Sequence, residues 1–305
     1  SADKIADVDL SKEGVGIDIS SGEYYKGRLY TPDNFAKGDI SQGNPDDKYA
    51  TFRIVLPLEK GVTYGLSGET ATYAQQVYID GKLLSEVGKV SDNAEEFVPA
   101  TDRYTLYFTA QADTAEIIIR HAWFNHRTGT IQKLCLAKAP LISANERAQT
   151  VCDGLIAGTL LAMAIFFFGM FLLGNRKRSM MWFSLSCLTA ALHYLIYESK
   201  QIGVLFPYLD WYTEHKLEYI TNILYFVFIL LYAFAALGLR PHKRFVVTSI
   251  CSAGAILLFY IFTPSTVYTH FTVVAGAVMA VYLILSSVYI CVTAVKHRLM
   301  GYIDS

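Results

Sequence analysis

From about residue 150 onward the chain is dominated by apolar runs, and this constrains it more than any other feature. Val151–Leu173, Met180–Tyr197, Leu217–Leu239, Phe245–Phe262 and Phe271–Val295 are each of membrane-crossing length, since a hydrocarbon core needs roughly 20 apolar helical residues. Any one of them could be the buried helix of a soluble core. Five in succession leave that alternative little room.

The first half is polar, and its acids outnumber its bases. A soluble domain over residues 1–142 and a membrane domain over 143–305 follow from this segregation. The net charge of -1 and the lack of a basic stripe exclude a nucleic-acid partner. Cys135 is the one cysteine clearly in the polar half, so that half holds no internal disulfide. Cys152, Cys187, Cys251 and Cys291 read as small apolar fillers. No Cys/His ligand spacing is present, so neither a metal nor a cofactor is expected. The chain opens Ser1-Ala2-Asp3 without methionine, and a removed export signal is inferred ahead of it.

Arg176, Lys177 and Arg178 follow the first span, Arg240, Lys243 and Arg244 the third, and Lys296 and Arg298 the fifth. The alternate loops carry Glu198, Asp210, Glu214 and Glu218, with Lys200 and Lys216 as their only bases. Lys and Arg stay on the cytoplasmic side during insertion, so the basic loops face inward and the polar domain faces out. Tyr208, Trp211, Tyr212, Tyr219, Tyr260 and Tyr268 then lie at the outer ends, where amphipathic rings anchor a span at the headgroups.

Strand signals fill residues 20–140. In Tyr49–Leu58, Phe52, Ile54 and Leu56 fall on one face at period two. Gln75–Asp80 and Lys82–Val87 flank Asp80-Gly81, a dipeptide suited to a type I′ hairpin because both central residues need positive φ. Further strands are predicted at Tyr104–Thr109, Ala115–His121 and Ile131–Ala137. Short strands separated by turns indicate an all-β jelly roll or β-sandwich, followed by an all-α transmembrane bundle. At the junction, Ser143-Ala144-Asn145-Glu146 fits a capping box, which predicts a helix starting there and running into the first span. No Gly/Ser/Pro linker intervenes.

The stretches YATFRIVLPLEKGVTYGLSG, VYIDGKLLSEVGKV and FNHRTGTIQKLCLA together resemble the outer domain of bacterial seven-transmembrane receptors with diverse intracellular signalling modules. The resemblance extends from about Tyr24 to the end of the chain. It implies a galactose-binding-like jelly roll outside the cytoplasmic membrane, a seven-helix domain and a cytoplasmic output module such as a diguanylate cyclase, histidine kinase or phosphatase. Asp80-Gly81 stands where the family has Asn-Gly, and Gly129-Thr130 where it has a glycine pair. Two spans and the output module are expected beyond residue 305.

G-x-S-x-G, H-E-x-x-H and P-loop patterns are all absent, so no catalytic residues are assigned and no enzyme is expected. The densest polar-aromatic stretch is His121-Ala122-Trp123-Phe124-Asn125-His126-Arg127. Sugar sites join an aromatic face to planar hydrogen-bonding groups, and Trp123 with His121, Asn125, His126 and Arg127 supplies both. The same residues also suit a structured loop that closes the sandwich. Asp153, His193, Glu198, Glu218 and Asn222 form a second candidate set, an outward-facing pocket in the bundle, because ionisable groups in spans are costly. Ordinary interfacial polarity is the alternative there. Gly158, Gly169 and Gly174 permit close helix contact without GxxxG spacing.

A receptor reading follows: an extracellular ligand, carbohydrate in class, is sensed outside and relayed through the bundle. The alternative is a membrane-anchored glycan-binding or adhesion protein without relay. A transporter ranks below both, because the middles of the spans are almost wholly apolar. A homodimer is compatible with paired signalling outputs, and no sequence feature demands one.

Overall fold

The computed structural model describes residues 15–17, 21–126, 129, 131, 134–174, 176–239 and 243–297. They fall into two compact units, 1–151 and 152–305.

The first unit is an antiparallel β-sandwich. Its strands are β1 (Val15–Ile17), β2 (Glu23–Lys26), β3 (Tyr49–Pro57), β4 (Thr63–Ile79), β5 (Lys82–Val87), β6 (Ala100–Thr109), β7 (Thr114–Ala122) and β8 (Leu134–Lys138). A short helix α1 (Pro32–Lys37) follows β2, with Thr31 and Asn34 closing a capping box at its start. One sheet orders β2-β3-β7-β4-β5 and the other β1-β8-β4-β6. Strand β4 belongs to both. Its first half pairs with β6 and β8, its second half with β7 and β5, and the register slips between Thr70 and Tyr73 where it changes sheet.

The sequence pattern marks only the end of β4, from Gln75. Its first half reads Thr63-Tyr64-Gly65-Leu66-Ser67-Gly68, where two glycines break the apolar alternation, yet Tyr64 and Leu66 point into the core. That core lies between the sheets and joins these two to Phe52, Ile54, Leu56, Ile117 and Ile119. Each such side chain, fully buried, contributes roughly 1.5–3 kcal/mol. At the hairpin, Asp80 (φ 47) and Gly81 (φ 78) both adopt the left-handed region that a type I′ turn requires. Asp80 Oδ1 also accepts the Glu116 N–H at 2.9 Å, tying the turn to β7.

The helices are α2 (Ala139–Leu173), α3 (Arg178–His193), α4 (Ile202–Leu205), α5 (Trp211–Ala236), α6 (Lys243–Phe262) and α7 (Ser265–His297), with a π-helical turn at Tyr194–Glu198 extending α3. Five of these, counting α3 with its extension, are long and apolar enough to cross a membrane. The predicted capping box is corrected. Helix α2 begins at Ala139 directly after β8, with Pro140 in the first turn, where its missing N–H costs nothing. Ser143 sits inside the helix and donates back to the Pro140 carbonyl at 3.0 Å, while Glu146 accepts from the Tyr107 hydroxyl at 2.8 Å.

The second unit turns outward many large apolar residues that a water-soluble fold would hide. Ile165 is 74% exposed and Phe262 79%, whereas Ser184, Ser249 and Ser286 are buried. Buried serine and threonine hydroxyls bond carbonyls of the preceding turn or of a neighbouring helix, as Ser184 Oγ does to Ala164 O at 2.7 Å. Small hydroxyl residues inside and large apolar ones outside is the pattern of helices packed in lipid. The chain is a multi-pass membrane protein.

Candidate functional site

Strand β7 ends at Ala122, and its last residues set the loop candidates. His121 faces inward and is fully buried. Its ring stacks on Trp123 at 5.1 Å and 22°, meets the Tyr73 ring edge-on at 6.1 Å, and its Nε2 lies 3.1 Å from the Tyr24 hydroxyl. Trp123 is 4% exposed. Its backbone N–H donates to the Lys48 carbonyl at 2.8 Å, and its ring packs so tightly on Gly129 that no β-carbon fits there. The indole is thus held between its His121 stack and the Gly129 contact, and at 4% exposure it offers no open face to a ligand.

Asn125 is also buried, and both its amide atoms lack a hydrogen-bond partner among the described residues. His126 is half-buried beside it, its N–H closing a turn onto the Trp123 carbonyl at 3.2 Å. Arg127 lies outside the described residues. Burial pushes the His121 imidazole down to about 3, an effect the Gly129 backbone only partly offsets, so this ring is neutral at physiological pH. Burial likewise pushes the Tyr24 phenol up to about 12. Tyr24, 37% exposed, is the wet edge of an otherwise dry aromatic set.

In the helical unit three of the second candidate set, Asp153, His193 and Glu218, fall into two hydrogen-bonded groups. Buried Asp153 on α2 accepts from the Tyr194 hydroxyl at 2.7 Å, at the start of the π-helical turn. His193, the preceding residue, has Nδ1 3.2 Å from the Glu218 carbonyl and 3.3 Å from Thr221 Oγ1, and its ring stacks on Tyr197. The Glu218 carboxylate lies 3.2 Å from Nδ1 of His215. Asn222 is half-buried one position after Thr221, and Glu198 is exposed.

The residue missed in the sequence is His215. It is 5% exposed and stacks on Trp211 at 4.6 Å, with Tyr219 edge-on at 5.0 Å and Tyr268 at 5.8 Å. Tyr219, Tyr260 and Tyr268 contact one another at 5.0–5.5 Å. The anchoring role expected of these rings is corrected for Trp211, Tyr260 and Tyr268, which are buried around His215, whereas Tyr208 and Tyr212 are exposed. The available signal was the spacing Trp211, His215, Tyr219, four residues apart on one helix face.

Comparison with solved structures returns a native family 35 carbohydrate binding module from Clostridium thermocellum, at 12% identity and a TM-score of 0.25, covering 42% of this chain and 100% of that one. It also returns an exo-beta-1,3-galactanase from Phanerochaete chrysosporium with galactose, at 11% identity and a TM-score of 0.24, covering 41% of this chain and 29% of that one. No curated protein matches the chain. Residues 149–302, just over half of the chain, match the family described as 7TM diverse intracellular signalling, and the chain belongs to that family.

Proposed function

We propose that the chain is the sensing part of a receptor. Its β unit lies outside the cytoplasmic membrane and binds a carbohydrate, and its helices pass the bound state to a cytoplasmic signalling module. The observation that carries the relay is α2, which runs 35 residues without a break. Its first turns pack in the β unit, with Ile142 held 3.0 Å from where a side chain at Gly65 would begin and Glu146 bonded to Tyr107. Its later turns belong to the helical unit, where Asp153 is bonded to Tyr194. A helix transmits displacement along its axis, whereas a flexible linker dissipates it.

The loop basicity of Arg176, Lys177, Arg178, Lys243 and Arg244 supports the orientation. The resemblance of the sandwich sequence to the outer domain of that receptor family, which implies a galactose-binding-like jelly roll, supports the ligand class. Within this reading the closed His121–Trp123 stack is a scaffold under the 124–126 loop, and Tyr24 is its accessible edge.

The test uses the full chain in lipid nanodiscs, with a panel of neutral mono- and disaccharides and spin labels at the α2 and α3 ends flanking Arg176. Saturable binding with a changed label distance is expected, since a ligand shifts two states only by its differential affinity for them. Binding without any change of distance would leave a glycan-capture protein and sink the relay. Absence of binding across the panel would sink the ligand class.

A further inference from the structure

The face of the β1-β8-β4-β6 sheet turned away from the core carries an unusual covering. Residues of α2 lie over it at helical spacing, Ile142, Asn145, Glu146 and Gln149. Ile142 is 2% exposed and closes one end of the contact over Gly65. A helix that merely packs on a sheet continues such a stripe with apolar residues. Here the stripe turns polar after Ile142, and so does the strand surface opposite it. Ser67 pairs in register with Thr105 and with Cys135, and the next row pairs Glu69 with Arg103. Between the helix and the strands a groove of about 290 Å³ stays open, its polar side-chain ends set among carbon surface.

We propose that this groove is the ligand site of the β unit and that it takes a neutral, hydroxyl-rich molecule about the size of a monosaccharide. The proposal rests on the receptor reading above and sharpens it. Carboxylate, carboxamide, guanidinium and hydroxyl groups all line the space, and together they donate to and accept from a ring of hydroxyls. Glu69 and Arg103 lie 4.0 Å apart and offset one another, and Glu146 leaves the lining with one surplus negative charge. An anionic ligand is therefore disfavoured. A molecule held there touches strand β4, strand β6 and helix α2 at once. Occupancy then bears directly on the helix that continues to Leu173.

Cys135 gives a direct test because its thiol lines the groove. In full chain with Cys152, Cys187, Cys251 and Cys291 changed to alanine, carried in nanodiscs, a membrane-impermeant maleimide reports access to Cys135. The probes are the neutral saccharide panel and the uronic acids of the same sugars. A neutral saccharide that binds is expected to slow Cys135 modification, and Asn145→Leu, at an exposed position that spares the fold, is expected to weaken its binding at least about tenfold. The matching uronic acid should bind more weakly than its neutral parent. A saccharide that binds while Cys135 reacts at an unchanged rate and Asn145→Leu keeps full affinity would overturn the groove and leave the carbohydrate reading intact. Binding by no saccharide at all would overturn both.

Discussion

The β unit hides Phe52, Leu66 and Ile117 and turns Lys and Glu outward, whereas the helical unit hides Ser184, Ser249 and Ser286 and turns Ile165, Phe262 and Ile284 outward. The two obey the same physics in different solvents. Between the sheets, water expels apolar surface and the hydrophobic effect supplies the drive. Between the helices no such drive exists, because lipid is as apolar as leucine. Close approach of small residues and hydrogen bonds across or along helices take its place. Where the helical unit buries large rings, around His215 with Glu218 beside it and at Phe234 against Tyr289, it does so near helix ends. Identical substitutions should therefore have unlike consequences in the two units.

The largest contrast is expected from a phenylalanine truncation. Phe52→Ala empties a fully buried site between the sheets and should cost about 3–5 kcal/mol. Phe166 is 61% exposed on α2, and Phe166→Ala should cost under about 1 kcal/mol. Denaturant unfolding of the full chain in nanodiscs measures both. Equal losses would break the comparison and mean that Phe166 packs on protein.

The same contrast explains what could be read from the sequence. Spans were legible because lipid-facing residues must be apolar over a whole helix length, as Ile165-Phe166-Phe167-Phe168 shows. The hairpin was legible because Asp80-Gly81 states its own dihedral requirement. The first half of β4 was not, since Gly65 gives Ile142 of α2 its seat and Gly68 yields to the Tyr104 ring, two demands unrelated to strand propensity. The start of α2 was misplaced because Ser143 and Glu146 carry the spacing of a cap but spend their side chains elsewhere, on Pro140 and Tyr107. Of the loop candidates, His121 and Trp123 stack on one another, and nothing in the sequence reveals that Gly129 presses on the indole. His215 is not legible because Trp211, Tyr219, Tyr260 and Tyr268 each fit an interfacial anchor when read singly. Their convergence needs three helices to be in place.

An intermediate effect is expected from acid in the β unit. His121 is neutral in the fold down to about pH 3, while the unfolded chain takes up its proton near 6.5. Between those values the unfolded state binds the extra proton. The stability contributed by keeping His121 neutral is complete above about pH 6.5 and declines by about 1.4 kcal/mol per unit as pH falls through the window. Thermal melts of the full chain at pH 7, 6 and 5 should show this slope, and His121→Gln should flatten it whatever its absolute stability. An unchanged slope in the variant would assign the acid sensitivity to other groups.

The smallest effect discriminates the two solvents most finely, because it compares one lost hydroxyl in each unit. Thr51 Oγ1 donates to the Arg28 carbonyl at 2.8 Å and accepts the Tyr30 N–H at 2.8 Å, fully buried. Thr51→Val keeps the shape but strands that N–H in a dry interior, at a cost of about 1–3 kcal/mol. Ser184 Oγ makes one bond across helices, to an Ala164 carbonyl that lies within the continuous helix α2. Ser184→Ala strands no donor, and a hydrogen bond between membrane helices averages about 0.6 kcal/mol, because the separated helix finds other partners in the bilayer. Unfolding measurements should therefore rank Thr51→Val well above Ser184→Ala. The reverse order would mean that Ser184 bridges a structural water or a further polar group, and that α2 and α3 are held by more than packing.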